Sequence, residues 1–66
     1  MQGPEVVPTV KLSGEDGNAF TIMGLVSKAL RDHGADREFV NAYFKESTSG
    51  NYDHLVQTAV KYVNVV

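Results

Sequence analysis

Cysteine is absent from this chain of 66 residues, and with it go any disulfide framework and any thiolate metal site, the usual staples of a small secreted domain. A reducing, cytoplasmic setting is therefore expected. No apolar run is long enough to cross a bilayer. The stretch from Met1 to Thr9 holds two prolines, one acid and no basic residue, which fits neither a membrane span nor a signal peptide. Concentrated positive charge is missing as well. The 6 basic residues, Lys11, Lys28, Arg31, Arg37, Lys45 and Lys61, are scattered among 8 acidic ones for a formal charge of -2, whereas a nucleic-acid footprint needs a basic face. Nucleic acid and membrane are thus not expected partners. There is no internal repeat, no low-complexity segment and no catalytic or cofactor signature, so neither cofactor nor metal is expected. At this length a single hydrophobic core only just outweighs the entropy of folding, which implies one domain of marginal stability.

What is present is helical periodicity. Behind a turn made of Ser47, Thr48, Ser49 and Gly50, the residues Tyr52, Leu55, Val56, Ala59, Val60, Tyr62 and Val63 fill an arc of roughly 160° on a helical wheel, with Asp53, His54, Gln57, Thr58 and Lys61 on the remainder. Asn51 serves as N-cap, and Asp53 meets the positive end of the helix dipole. An earlier helix is expected from Ala19 to about His33, capped by Asn18 and ended by Gly34. Its apolar set of Ala19, Phe20, Ile22, Met23, Leu25, Val26, Ala29 and Leu30 spans roughly 220°, too wide for one partner to cover. This helix is either the central element of the fold or keeps apolar surface for a second chain. Gly24, with Lys28 nearby, lies on its narrow polar side, as a tolerated surface glycine or as a point of close backbone approach. Between the two, a helix from Asp36 to about Glu46 carries Phe39, Val40, Tyr43 and Phe44 on one side.

The ends of the chain read as strands. Val6 to Leu12 forms a short edge strand, with Pro8 confined to a position that needs no amide donor. The β-branched run around Val63 and Val65 forms a second strand that pairs with it. The expected fold is α+β, in the order strand, helix, helix, helix, strand, with residues 1 to 5 as a flexible tail and 6 to 66 as the single domain. Gly17, Asn18, Ala19 and Phe20, then Ala29 and Leu30, then Ser49, Gly50, Asn51, Tyr52, Asp53, His54 and Leu55, and finally Val63 to Val65, resemble the pattern of a group of short uncharacterised proteins of bacteria and phages. Members commonly carry an aspartate where this chain has Asn51, and either residue caps a helix well. The resemblance implies a compact domain in a phage or mobile-element setting, and it assigns no activity and no site residue.

Each candidate for chemistry has a plainer reading beside it. Gly14, Glu15, Asp16 and Gly17 match the G-x-x-G of a KH loop, but that loop joins two helices and this one follows a strand and carries two acids. The same loop has free amides for a phosphate, which Glu15 and Asp16 would repel, and oxygens for calcium at a spacing unlike an EF-hand. A turn that caps a helix is the better reading. His33 falls at a helix C-terminus, where an imidazole caps carbonyls. His54 follows Asp53 directly, and successive helical residues do not face one another, so they form no dyad. No further ligand lies at zinc spacing. Ser47, Thr48 and Ser49 are ordinary turn residues with no base positioned by the sequence. An enzyme is not expected. The favoured function is a protein-interaction module, including a homodimer, that uses the Leu25 margin of the broad helix with Gly24 and Lys28, while Phe20 packs over the loop from Gly14 to Gly17. The alternative is a small-ligand binder of nucleotide type, with the Gly14, Gly17 and Asn18 amides at a phosphate and Tyr43, Tyr52 or Tyr62 stacking on a base.

Overall fold

Helix-capping chemistry sets the element boundaries in the computed structural model, which describes residues 1 to 14 and 17 to 66. The elements are β1 (Thr9–Val10), α1 (Ala19–Asp32), α2 (Arg37–Ser47), α3 (Tyr52–Tyr62) and β2 (Asn64–Val65). Each helix opens on a short polar side chain that satisfies an orphan amide. Asn18 Oδ1 accepts from Phe20 N at 2.8 Å, Asp36 Oδ1 from Phe39 N at 2.8 Å, and Asn51 Oδ1 from His54 N at 3.0 Å. At the end of α1, Gly34 adopts φ +100°, so that its amide reaches Arg31 O at 3.1 Å and the Ala35 amide reaches Leu30 O at 2.9 Å. That is the Schellman arrangement, closed by apolar contact between buried Leu30 and Ala35.

The two strands pair in parallel, with Thr9 opposite Asn64 and Val10 opposite Val65. Parallel neighbours require a crossover connection, and here all three helices supply it. The strand expected from Val6 to Leu12 is regular only at Thr9–Val10. Its ladder nevertheless continues in single bonds: Asn64 N donates to Pro8 O at 2.9 Å, and Leu12 N to Val66 O at 2.9 Å. Pro8 lacks an amide and contributes only its carbonyl, as its expected position demands.

Helix α1 touches β1, α2 and α3, and so most of its wide apolar arc is covered within one chain. Its Ile22, Met23, Val26 and Leu30 meet Val10, Val40, Tyr43, Leu55, Ala59 and Val63 in one core. Tyr62 packs edge-on against Tyr43 at 5.1 Å and Phe39 at 5.5 Å between ring centroids.

Two expected faces differ at their margins. On α3, Thr58 is 1% exposed and Val60 is 58% exposed. Burial of Thr58 is tolerated because its Oγ1 donates to His54 O at 2.7 Å, which hides the hydroxyl inside its own helix. On α1, Phe20 is 80% exposed and Leu25 is partly buried against the core, the reverse of the expected margins. The first residues also depart from a loose tail. Gln2 N donates to Asp36 Oδ2 at 2.8 Å, Asp36 N donates back to Gln2 O at 3.0 Å, and Glu5 N donates to His33 O at 2.8 Å. The segment thereby closes over the turn between α1 and α2.

Candidate functional site

Two helix starts meet at one end of the molecule. Tyr52, at the first position of α3, sends its hydroxyl to Gly17 O at 2.5 Å, just ahead of α1. The segments Gly17 to Phe20 and Ser49 to Leu55, far apart in the sequence, are joined by this bond. Between them lies a groove of about 330 Å³, lined by Ala19, Phe20, Met23, Thr48, Tyr52 and Leu55 among others. Its walls are mainly carbon. Among its lining residues Met23 and Leu55 belong to the buried core, whereas Phe20 stands at its mouth almost entirely in solvent.

Gly50 shapes the α3 side of this end. A Cβ on Gly50 would lie 2.9 Å from His54 Cβ and Cγ, so only glycine lets the turn fold this tightly against the first turn of α3. The imidazole can then reach back to α2. His54 Nε2 lies 2.8 Å from Glu46 Oε2, 2.9 Å from Glu46 O and 3.1 Å from Ser49 Oγ. Serine, histidine and glutamate are thus together, a grouping hidden in the sequence because it spans a helix end and a turn. The geometry is nonetheless wrong for a nucleophile. In a catalytic relay the acid orients one ring nitrogen while the other takes the serine proton. Here both partners crowd the same nitrogen, and the Ser49 hydroxyl donates to Glu46 O at 2.7 Å. Thr48 Oγ1 likewise donates to Phe44 O at 2.9 Å, and Ser47 is buried. The cluster ties the α2 to α3 turn together.

The residues expected at a ligand site are dispersed. Tyr43 is 0% exposed and offers no face to a base, which corrects its expected stacking role. Burial pushes its phenol above the ordinary range, and the nearby Ser47 hydroxyl brings it partly back. Gly14 turns with φ +81°, and Asn18 Oδ1 is committed to the first turn of α1. Glu15 and Asp16, on which the calcium and phosphate readings of that loop depend, lie outside the described residues. Among the described residues no group of acidic, histidine or cysteine side chains is arranged to hold a metal ion.

The expected interaction margin is equally plain in character. Gly24 is exposed with open space where a Cβ would stand, so it marks no close backbone approach. Lys28 Nζ bonds Asp32 Oδ2 at 2.7 Å, and this bond holds the Asp32 carboxyl below its ordinary range. His33 does cap α1, its Nδ1 lying 2.8 Å from Ala29 O. Asp36 is also held low, chiefly by the Phe39 amide and further by that of Gln2. No described helix is long and apolar enough to cross a membrane. Comparison with protein-family models, with curated proteins and with solved structures found no match.

Proposed function

We propose that this protein is a non-enzymatic interaction module whose partner surface is the apolar groove between the first turns of α1 and α3. The observation that carries this reading is the Phe20 ring, 80% exposed at the groove's mouth. Covering a ring of that kind is worth about 1.5–3 kcal/mol. Partly exposed Tyr52 on the opposite wall extends the patch, and aromatic side chains that keep a polar tip are favoured at such interfaces. The resemblance noted from the sequence adds a phage or mobile-element setting, and the absence of cysteine a cytoplasmic one.

A second copy of the chain is the first partner to test, because association removes apolar surface that so small a domain cannot bury alone. Solution mass over a concentration series should show a dimer for the parent and a folded monomer for Phe20→Ser, with the melting temperature rising with concentration for the parent and not for the variant. Leu25→Glu should instead lower the melting temperature, since that side chain packs on the core. A parent that is monomeric at millimolar concentration overturns self-association. The ligand-binding reading through the Gly14 to Asn18 loop loses buried Tyr43 as a stacking ring and keeps partly exposed Tyr52.

A further inference from the structure

A second groove lies on the opposite flank, where α1 hands over to α2. It encloses about 510 Å³ and is lined by Arg31, Ala35, Arg37, Val40, Asn41 and Phe44. Buried Ala35 and Val40 form its floor, and its rim carries two guanidiniums, an amide and an aromatic ring. No acid lines it. The acids closest in sequence are each engaged elsewhere: Asp32 with Lys28 at 2.7 Å, Asp36 with the amides of Phe39 and Gln2, and Glu38 with the N-terminal ammonium at 3.5 Å. Among the described residues neither arginine has an ion-pair partner. Two cations without an ion-pair partner among the described residues therefore line one groove in a chain of net charge -2.

Helix stability does not account for this pair. Arg31 in the last turn of α1 suits the helix dipole, but Arg37 is the first residue of α2, where a cation opposes it. An anion in the groove answers both guanidiniums, while the positive end of α2 is already met by the Asp36 carboxylate. Phe44 leans on buried Tyr43 with centroids 5.8 Å apart and is 37% exposed, so its ring is held by the core and open on one side. Asn41, one turn before it on α2, offers a donor and an acceptor together.

We propose that this groove binds a small aromatic anion, a phosphate or carboxylate held by Arg31 and Arg37 with a planar ring on Phe44 and its polar edge at Asn41. The space is that of a small-molecule site. A nucleoside monophosphate has the required parts. The site shares no residue with the Phe20 groove and stands independently of the interaction reading.

Amide chemical shifts of the full chain titrated with adenosine monophosphate test it. Saturable shifts are expected at Arg31, Ala35, Arg37, Asn41 and Phe44, weakening as salt is raised. Inorganic phosphate and adenosine, each carrying half of the chemistry, should bind at least about tenfold more weakly. Arg31→Gln and Arg37→Gln, both at exposed positions, should each cost about tenfold in affinity with melting unchanged, and Lys61→Gln should cost nothing. The proposal is overturned if no saturable shifts occur at these residues, if inorganic phosphate binds as tightly as the nucleotide, if the arginine variants bind like the parent, or if an acidic peptide binds more tightly than the mononucleotide.

Discussion

Gly50→Ala probes the end of the molecule that carries the apolar groove. The new Cβ would stand 2.9 Å from both Cβ and Cγ of His54 and 3.1 Å from Cδ2. The nearest atoms belong to the root of the side chain, so rotating the imidazole does not make room, and the turn itself has to shift. Overpacking of this kind costs about 1–3 kcal/mol. Any shift that moves His54 also loosens its hydrogen-bond contacts to Glu46, worth about 1 kcal/mol. Alanine returns about 0.4–1 kcal/mol by stiffening the unfolded chain. The balance is a loss of about 1–2 kcal/mol, equivalent to a fall in melting temperature of roughly 5–15 °C in a domain of this length. Thermal and urea unfolding of the parent, Gly50→Ala, His54→Ala and His54→Gly measure it. Because Cβ of His54 is itself an overlapping atom, the cost should persist in the His54→Ala background and vanish in His54→Gly. A neutral Gly50→Ala, or a cost undiminished beside His54→Gly, refutes the reasoning.

Further outcomes follow from the core and the caps. Leu55→Ala should lose about 2–5 kcal/mol in urea unfolding, enough to unfold much of a domain this small, whereas truncating exposed Val60 to Ala should change little. Tyr43→Phe removes a buried hydroxyl that has the Ser47 hydroxyl nearby but makes no well-formed hydrogen bond among the described residues, so it should leave stability unchanged or raise it by about 1 kcal/mol; a clear loss would show that the two hydroxyls are bonded. The Asp36 carboxyl is lower in the folded state than in the unfolded one, so its contribution is present above the ordinary aspartate range and is lost as pH falls through the folded value. Asp36→Asn should accordingly flatten the acid limb of the stability curve, and an unchanged limb would contradict the capping assignment.

Local chemistry made the elements legible before any tertiary contact. Asn18, Asp36 and Asn51 mark helix starts and Gly34 a helix end because capping involves only residues within a turn of one another. The pairing of the terminal strands was legible too, since two short β-branched runs flanking three helices have no other partner. The centre of each buried face was legible as well, as at Val26, Tyr43 and Leu55, but its margins were not settled at that level. Thr58 goes inside because its hydroxyl can bond its own helix, and Val60 stays outside because no neighbouring element covers that side of α3. Phe20 is left in solvent for a comparable reason: the start of α1 projects beside α3 at a groove that its ring borders without filling. Arg31 and Arg37 looked like two of six scattered cations. Only the tight turn at Gly34, which folds α2 back beside the end of α1, places them on one groove while the surrounding acids are spent on caps and ion pairs. Capping and periodicity act over a few residues and can be read along the chain, whereas the faces left uncovered depend on where separate elements come to rest.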